Sequence, residues 1–402
     1  VKVLSRIVLA VVTLVGTACG TGAQEASRPL VVSSDRQLAE LASALLPDLA
    51  HRAGMELKEP VRLEKRSREQ LVRYLRNKLD QELPEGEARA EVSSYHLLGL
   101  VPDSLDLRGV LLSLYTEQVA GFYEPDSTAL FIMDDQPASA VQGLLIHELV
   151  HAVQDQTVDL HALTDPSLSE DRRNAAQAAI EGQATLVMLE YLTEQMRGAP
   201  VDLADVPDFA ASLRPALEGV KNQFPALASA PEVIQESLLF PYVEGAGYVQ
   251  SLWTSGKHTP PFGPYLPMST EQVVTHDRND APVILSVSVD AGRVARSDNL
   301  GRLETGVLLD TRLGDGGADL AEGWGGDEYA LVDLPDGSQG LAWATVWDDV
   351  AARDRFVAAL TDHLDGFPLD ASLEPLDVDG RPGALLRVGL PSTVTVRVRR
   401  AS

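Results

Sequence analysis

Cysteine is almost absent: Cys19 is the only one in 402 residues, so no intrachain disulfide can form. The same scarcity excludes a zinc site built from a cysteine cluster. Lysine is confined to positions 2, 58, 65, 78, 221 and 257, while arginine is common. Basic residues number 33 against 59 acidic ones, giving a net charge of -26 and no concentrated basic patch. Nothing would offset phosphate repulsion, so nucleic acid is excluded as a partner.

What remains is an ordinary globular composition, 45% hydrophobic and 23% charged, long enough for two or three domains. Lys2 and Arg6 precede an apolar run from Ile7 to Val15, too short for a comfortable membrane span. Small residues follow, and the pattern reads as an export signal over residues 1–18. Cys19 stands directly behind it and resembles the cysteine of a bacterial lipobox, with Gly16 where that motif prefers Leu. The expectation is an exported protein, anchored to the outer face of the cell membrane through lipidated Cys19 or else secreted. Residues 19–34 read as a tether.

The chemistry is concentrated in Leu144-Leu145-Ile146-His147-Glu148-Leu149-Val150-His151, which contains H-E-x-x-H. On a helix, His147 and His151 lie one above the other and can reach the same zinc ion. Glu148 is placed to take a proton from the water that attacks the substrate. The apolar flanks Leu144, Leu145, Leu149 and Val153 put both histidines in a buried setting, where polar groups need partners. A long helix is expected over Asp171–Met196, rich in Ala, Leu, Gln and Glu. Within it Glu181 follows the small residues Ala175, Ala176, Ala178 and Ala179, which allow close helix packing and a His2Glu ligand set. Glu170, Glu190 and Glu194 are its rivals, and Glu181 is preferred for its small, apolar setting.

Elsewhere helices are expected over Asp35–Gly54, Ser67–Leu83, Ser104–Val119, Ala204–Gly219 and Pro231–Gly256. Two short strands are expected around Pro125-Asp126, just before the H-E-x-x-H helix. Such a strand either lines a substrate cleft by strand addition or is a simple structural hairpin. From residue 269 onward the pattern is that of a smaller α+β module: strands near 283–289, 328–334 and 341–346, helices near 300–312 and 348–365. The Gly/Asp-rich run 314–327 reads as turn or loop; its acidic residues could bind calcium, but it has no spaced calcium-loop motif.

These residues resemble the gluzincins, the thermolysin-like clan of metallopeptidases with H-E-x-x-H on one helix and Glu on the next. H-E-L-V-H-A-V-Q-D-Q at 147–156 and E-G-Q-A-T at 181–185 look more closely like a group of poorly characterised exported bacterial zincin-like proteins. S-T-E-Q-V-V-T-H at 269–276, W-G-G-D-E-Y-A-L at 324–331 and W-A-T-V-W-D-D at 343–349 extend the likeness over about residues 95–360. The resemblance implies an α+β fold with a mainly helical zincin-like domain over 35–268 and a C-terminal module over 269–402. It implies zinc held by His147, His151 and Glu181 with Glu148 as general base, but no substrate; a peptide or protein substrate is the expectation from metal-assisted amide hydrolysis itself. Many thermolysin-like enzymes carry an acidic residue four places after the ligand Glu, and here Thr185 stands there. Asp155 and Asp171 are therefore candidates to orient the first histidine, and Tyr248, Tyr242, His161 and His258 to stabilise an oxyanion, Tyr248 foremost. The competing expectation is a non-catalytic envelope protein that binds zinc or a partner on a degenerate zincin scaffold.

Overall fold

The structure, a computed structural model, describes residues 29–207, 209–221 and 223–401. The expected export signal, Cys19 and the first part of the tether lie outside the described residues. Within the remainder of the tether stretch, β1 (Val31–Val32) pairs in parallel with β2 (Val61–Arg66). Between them runs α1 (Arg36–Arg52), started by Asp35, whose carboxylate accepts the Leu38 N–H. Next come α2 (Arg68–Glu82), opened by a Ser67–Gln70 capping box, then α3 (Glu85–Leu97) and α4 (Leu107–Gln118). The expected hairpin is present as β3 (Gly121–Glu124) and β4 (Ala129–Met133). It leads into α5 (Ala138–Asp155), which carries H-E-x-x-H. A single turn, α6 (Leu160–Leu163), precedes the long α7 (Glu170–Arg197). Then follow α8 (Phe209–Lys221), α9 (Pro225–Ser229) and α10 (Glu232–Ser255).

The last third is β-rich, and the chain as a whole is α+β. It comprises α11 (Thr270–Thr275), β5 (Leu285–Val289), β6 (Arg293–Asp298), α12 (Gly301–Leu313), β7 (Trp324–Asp333) and β8 (Gln339–Trp347). It ends with α13 (Val350–Thr361), β9 (Ala371–Val378), β10 (Arg381–Val388) and β11 (Val396–Arg400). The run 314–327 is loop only in part, because Trp324–Asp327 already pairs with β8. Among the described residues no helix is long and apolar enough to cross a membrane.

Two sheets organise these elements. The N-terminal sheet has the order β1-β2-β4-β3, with β3 as its antiparallel edge. The C-terminal sheet has the order β6-β7-β8-β10-β9, and its strands follow the two-residue period of a doubly covered sheet. Tyr329, Leu331, Leu341 and Trp343 face α12, α13 and α3, while Ala330, Ala342 and Ala344 face the β5–β11 ribbon. The first of these cores continues through Leu71, Leu75 and Leu111 of α2 and α4, so apolar packing crosses residue 269 without a break. A second core gathers α1, α5, α7 and the far end of α10.

Helices α7 and α10 approach so closely that side chains are excluded between them. A Cβ on Gly182 would stand 2.2 Å from the Gly245 backbone, and one on Gly245 would stand 2.2 Å from the Ala178 carbonyl oxygen. Gly182 follows Glu181 directly, so this contact fixes where that carboxylate points. Gly245→Ala is expected to cost about 1–3 kcal/mol by forcing the helices apart. A lowered chemical-denaturation midpoint with an unchanged slope is the readout, and an unchanged midpoint would refute the tight approach.

Polar links join the β-rich part to α7 and α12. Asp327 accepts the Leu300 and Gly301 N–H groups and the Trp343 indole N–H, and Asp171 accepts the Thr270 N–H and hydroxyl. Burial, only partly offset by those donors, pushes the Asp171 carboxyl up to about 7 and Asp327 up to about 6. Both folded values lie above the unfolded one, about 4, so the folded protein binds more protons than the unfolded chain. The stability they contribute is complete below about pH 4 and is lost as pH rises through 6 to 7. The urea midpoint is therefore expected to fall over that window, and Asp171→Asn to flatten the fall. A midpoint that rises there, or an unaltered slope in the variant, would contradict it.

Candidate metal centre

Helix α5 is apolar on every side, and its residues from Leu144 to Gln154 are all buried. It is an interior helix, and the polar groups it brings inside need partners. The histidines find them. His147 Nε2 and His151 Nε2 are 3.1 Å apart, and Glu181 Oε2 lies 3.1 Å from the first and 3.5 Å from the second. One donor atom from each of the three lies within 4.8 Å of the others, and all three residues are buried. Sequence positions 147, 151 and 181 thus meet at one point, as expected.

His151 and Glu181 are held from behind. His151 Nδ1 is 2.8 Å from Gln154 Oε1, an acceptor that fixes the proton on Nδ1 and leaves the Nε2 lone pair toward the trio. Gln154 in turn donates to the Ile180 carbonyl and to Gln183 Oε1, and Gln183 donates to the Ala53 carbonyl. Gln177 donates to Glu181 Oε1 at 2.6 Å, leaving Oε2 for the histidines. The amides of Gln154, Gln177 and Gln183 thus orient His151 and Glu181, a different pair from the first histidine, for which the sequence suggested Asp155 or Asp171. Asp155 instead accepts from the Tyr123 hydroxyl and the Leu160 N–H, and Asp171 from Thr270. H-A-V-Q at 151–154 was the available signal, since a residue three places on shares the helix face of His151.

The electrostatics follow from burial. Burial alone would push the Glu181 carboxyl up, but His151 and His147 beside it win and hold it down at about 2. Burial lowers His147. It pulls His151 the same way, yet the carboxylates of Glu181 and Glu148 leave His151 raised. Glu148 is wholly buried, neither of its oxygens has a hydrogen-bond partner, and burial pushes its carboxyl up to about 8. The Tyr123 backbone N–H pulls slightly the other way and places Glu148 beside strand β3.

That strand is the last of its sheet, with Gly121, Phe122 and Tyr123 buried. Met133 N–H bonds to the Ala120 carbonyl, so by the alternation of an antiparallel ladder the N–H and C=O of Gly121 and Tyr123 turn away from β4. A cleft beside it is lined by Lys78, Tyr123, Asp126, His151, His161 and Gln177. Lys78, whose helix reads in the sequence as a solvated face, is paired there with Asp126 at 2.6 Å.

The other candidates go elsewhere. Tyr248 is buried and its hydroxyl donates to the Tyr265 carbonyl at 2.5 Å. Tyr242 is the tyrosine beside the trio, with its ring 6.2 Å from that of His147. His258 packs on Trp253 and faces Glu190, whereas His161 is on the cleft wall, 3.7 Å from Asp126. The rival carboxylates are engaged as well: Glu170 with Arg173, and Glu190 and Glu194 with Arg52.

A family model described as a domain of unknown function (DUF8575) matches residues 289–398. That span is the C-terminal sheet and excludes every residue of the trio. No curated protein and no solved structure matches the chain.

The amide relay carries a prediction. Gln154→Leu is expected to weaken zinc binding about 10–100-fold by releasing the His151 ring. Competition with a chromophoric chelator measures it, and wild-type affinity in the variant would remove Gln154 from this role.

Proposed function

We propose that the protein is a zinc-dependent hydrolase of peptide bonds. The observation that carries the reading is the convergence of His147, His151 and Glu181 with the wholly buried Glu148 beside the terminal strand β3. The donor set fits zinc: two imidazoles and one carboxylate, their Nε2 and Oε2 atoms facing one another, with room in ligand number for a substrate or water. Bound there, zinc supplies Lewis-acid polarisation of the scissile carbonyl and makes a neighbouring water more acidic.

The chain's own residues supply the rest. Glu148 accepts a proton from the attacking water at a carboxylate oxygen and returns it to the leaving amine. Gly121 and Tyr123 offer backbone groups to an extended peptide, which favours a polypeptide substrate over a compact one. Tyr242, beside His147, is better placed than Tyr248 to approach a developing oxyanion.

Metal analysis of the purified protein tests this first. One zinc per chain is expected, with loss in His147→Ala and in Glu181→Ala. Glu148→Gln is expected to keep the zinc and to lower peptide hydrolysis by at least about 10²-fold. A zinc-supplemented, folded parent that holds no zinc would overturn the proposal. So would full activity in Glu148→Gln.

A further inference from the structure

The sequence stretches S-T-E-Q-V-V-T-H and W-A-T-V-W-D-D play no part in the zinc site, yet the fold brings them together. Glu271 of α11, Asp280 of the loop that follows it, and Asp348 of the β8–α13 turn each place a carboxylate oxygen within 4.8 Å of the other two. Like charges at that range repel strongly unless a cation or protons intervene.

Among the described residues no cation lies within ion-pair distance of the three. Glu271 is only 3% exposed, and among the described residues its carboxylate has neither a hydrogen-bond donor nor an ion-pair partner. The same holds for the carboxylates of Asp280 and Asp348. Arg302 and Arg381 act on the group from beyond ion-pair distance. The local hydrogen bonds position the three without neutralising them. Gln272 donates to the Arg278 and Asp280 carbonyls, which folds the loop back over Glu271. Asp348 N–H bonds to the Gly323 carbonyl, while Asp349 takes the capping role on α13, leaving the Asp348 side chain unused. Burial, then Asp280 and Asp348, push the Glu271 carboxyl up to about 9.

We propose that Glu271, Asp280 and Asp348 form a second metal site, selective for a hard divalent cation and occupied by calcium. All three donors are carboxylate oxygens, the ligand type that calcium prefers and that separates this site from the imidazole-containing one. Calcium–oxygen distances of about 2.3–2.6 Å place opposed ligands up to roughly 5 Å apart, matching the observed spread. Asp280 is half-buried and Asp348 exposed, so water can complete the six to eight ligands that calcium takes. The ion would join α11, which packs on α7 and α10, to the turn that ends β8. It would thereby brace the helix that carries Glu181 against the C-terminal sheet.

The test is calorimetric titration of CaCl2 into metal-stripped protein reloaded with one equivalent of zinc. It is accompanied by thermal unfolding with and without calcium. One calcium per chain and a rise in Tm are expected in the parent. Both are also expected in Glu181→Ala, which separates this site from the zinc reading. Asp280→Asn and Asp348→Asn change solvent-accessible positions and should fold normally, yet each should lose the saturable heat and the calcium-dependent Tm rise. Glu271→Gln should do the same. A parent that binds no calcium at millimolar concentration would overturn the proposal, leaving Glu271 a buried, protonated acid. Undiminished binding in both aspartate variants would overturn it equally.

Discussion

A carboxylate with 1% exposure, kept ionised without water, is the constraint around which this protein is arranged. An isolated buried charge of that kind would cost many kcal/mol and would be relieved by protonation. Glu181 escapes this because two imidazoles from the next helix stand 3.1 and 3.5 Å from one oxygen while Gln177 donates to the other. That solution fixes the spacing of α5 and α7 within a few tenths of an ångström. It also requires α7 to be seated close on its far side, which is where Gly182 meets Gly245 of α10. The neighbouring Glu148 shows the opposite outcome of the same burial. With only a slight opposing pull from the Tyr123 backbone N–H, its carboxyl is driven up by burial, so the two acids respond oppositely to the same surroundings.

How far this was legible in the sequence differs from element to element. Helices α7 and α10 could be read because long periodic segments and clear breakers mark them, and their ends fall within a residue or two of expectation. The trio could be read because H-E-x-x-H fixes two donors by helical geometry and the alanine run singles out one glutamate among several. Helix α3 was not legible: its buried face includes Glu91 and Ser94, so polarity does not separate its faces. The β7 start was hidden by Gly325 and Gly326, which suggest a loop but here accommodate a bulge against β8 and a close approach to Val283.

The orienting groups were the least legible part of the site. Charge is an obvious signal in a sequence, so Asp155 and Asp171 drew attention, whereas a glutamine inside a helix looks like any other. What decides the matter is burial. A neutral amide can accept from His151 and donate onward to Ile180 and Gln183 without adding charge to a site that already holds two acids. A third carboxylate behind His151 would have deepened the electrostatic penalty that Glu148 already bears. Tyr242 and Tyr248 share α10, and six residues of helical rotation separate the one that faces His147 from the one that bonds to Tyr265.

The C-terminal sheet enters this geometry through the first turn of α7. The Asp298 and Asn299 side chains, at the end of β6, accept the N–H groups of Glu170 and Asp171, which a helix start otherwise leaves without partners. Asp171 then grips Thr270 at the start of α11, and Asp327 of β7 holds the first N–H groups of α12. Glu181 lies three helical turns farther along the same rod. A rigid helix anchored at its N-terminus by the sheet and at its middle by α10 has little freedom to rotate. The family match to the sheet region and the His147–His151–Glu181 trio on the helices are therefore parts of one mechanical unit. The sheet sets the axis on which Glu181 is carried, and a change at Asp298 should be felt at His147 without any contact between them.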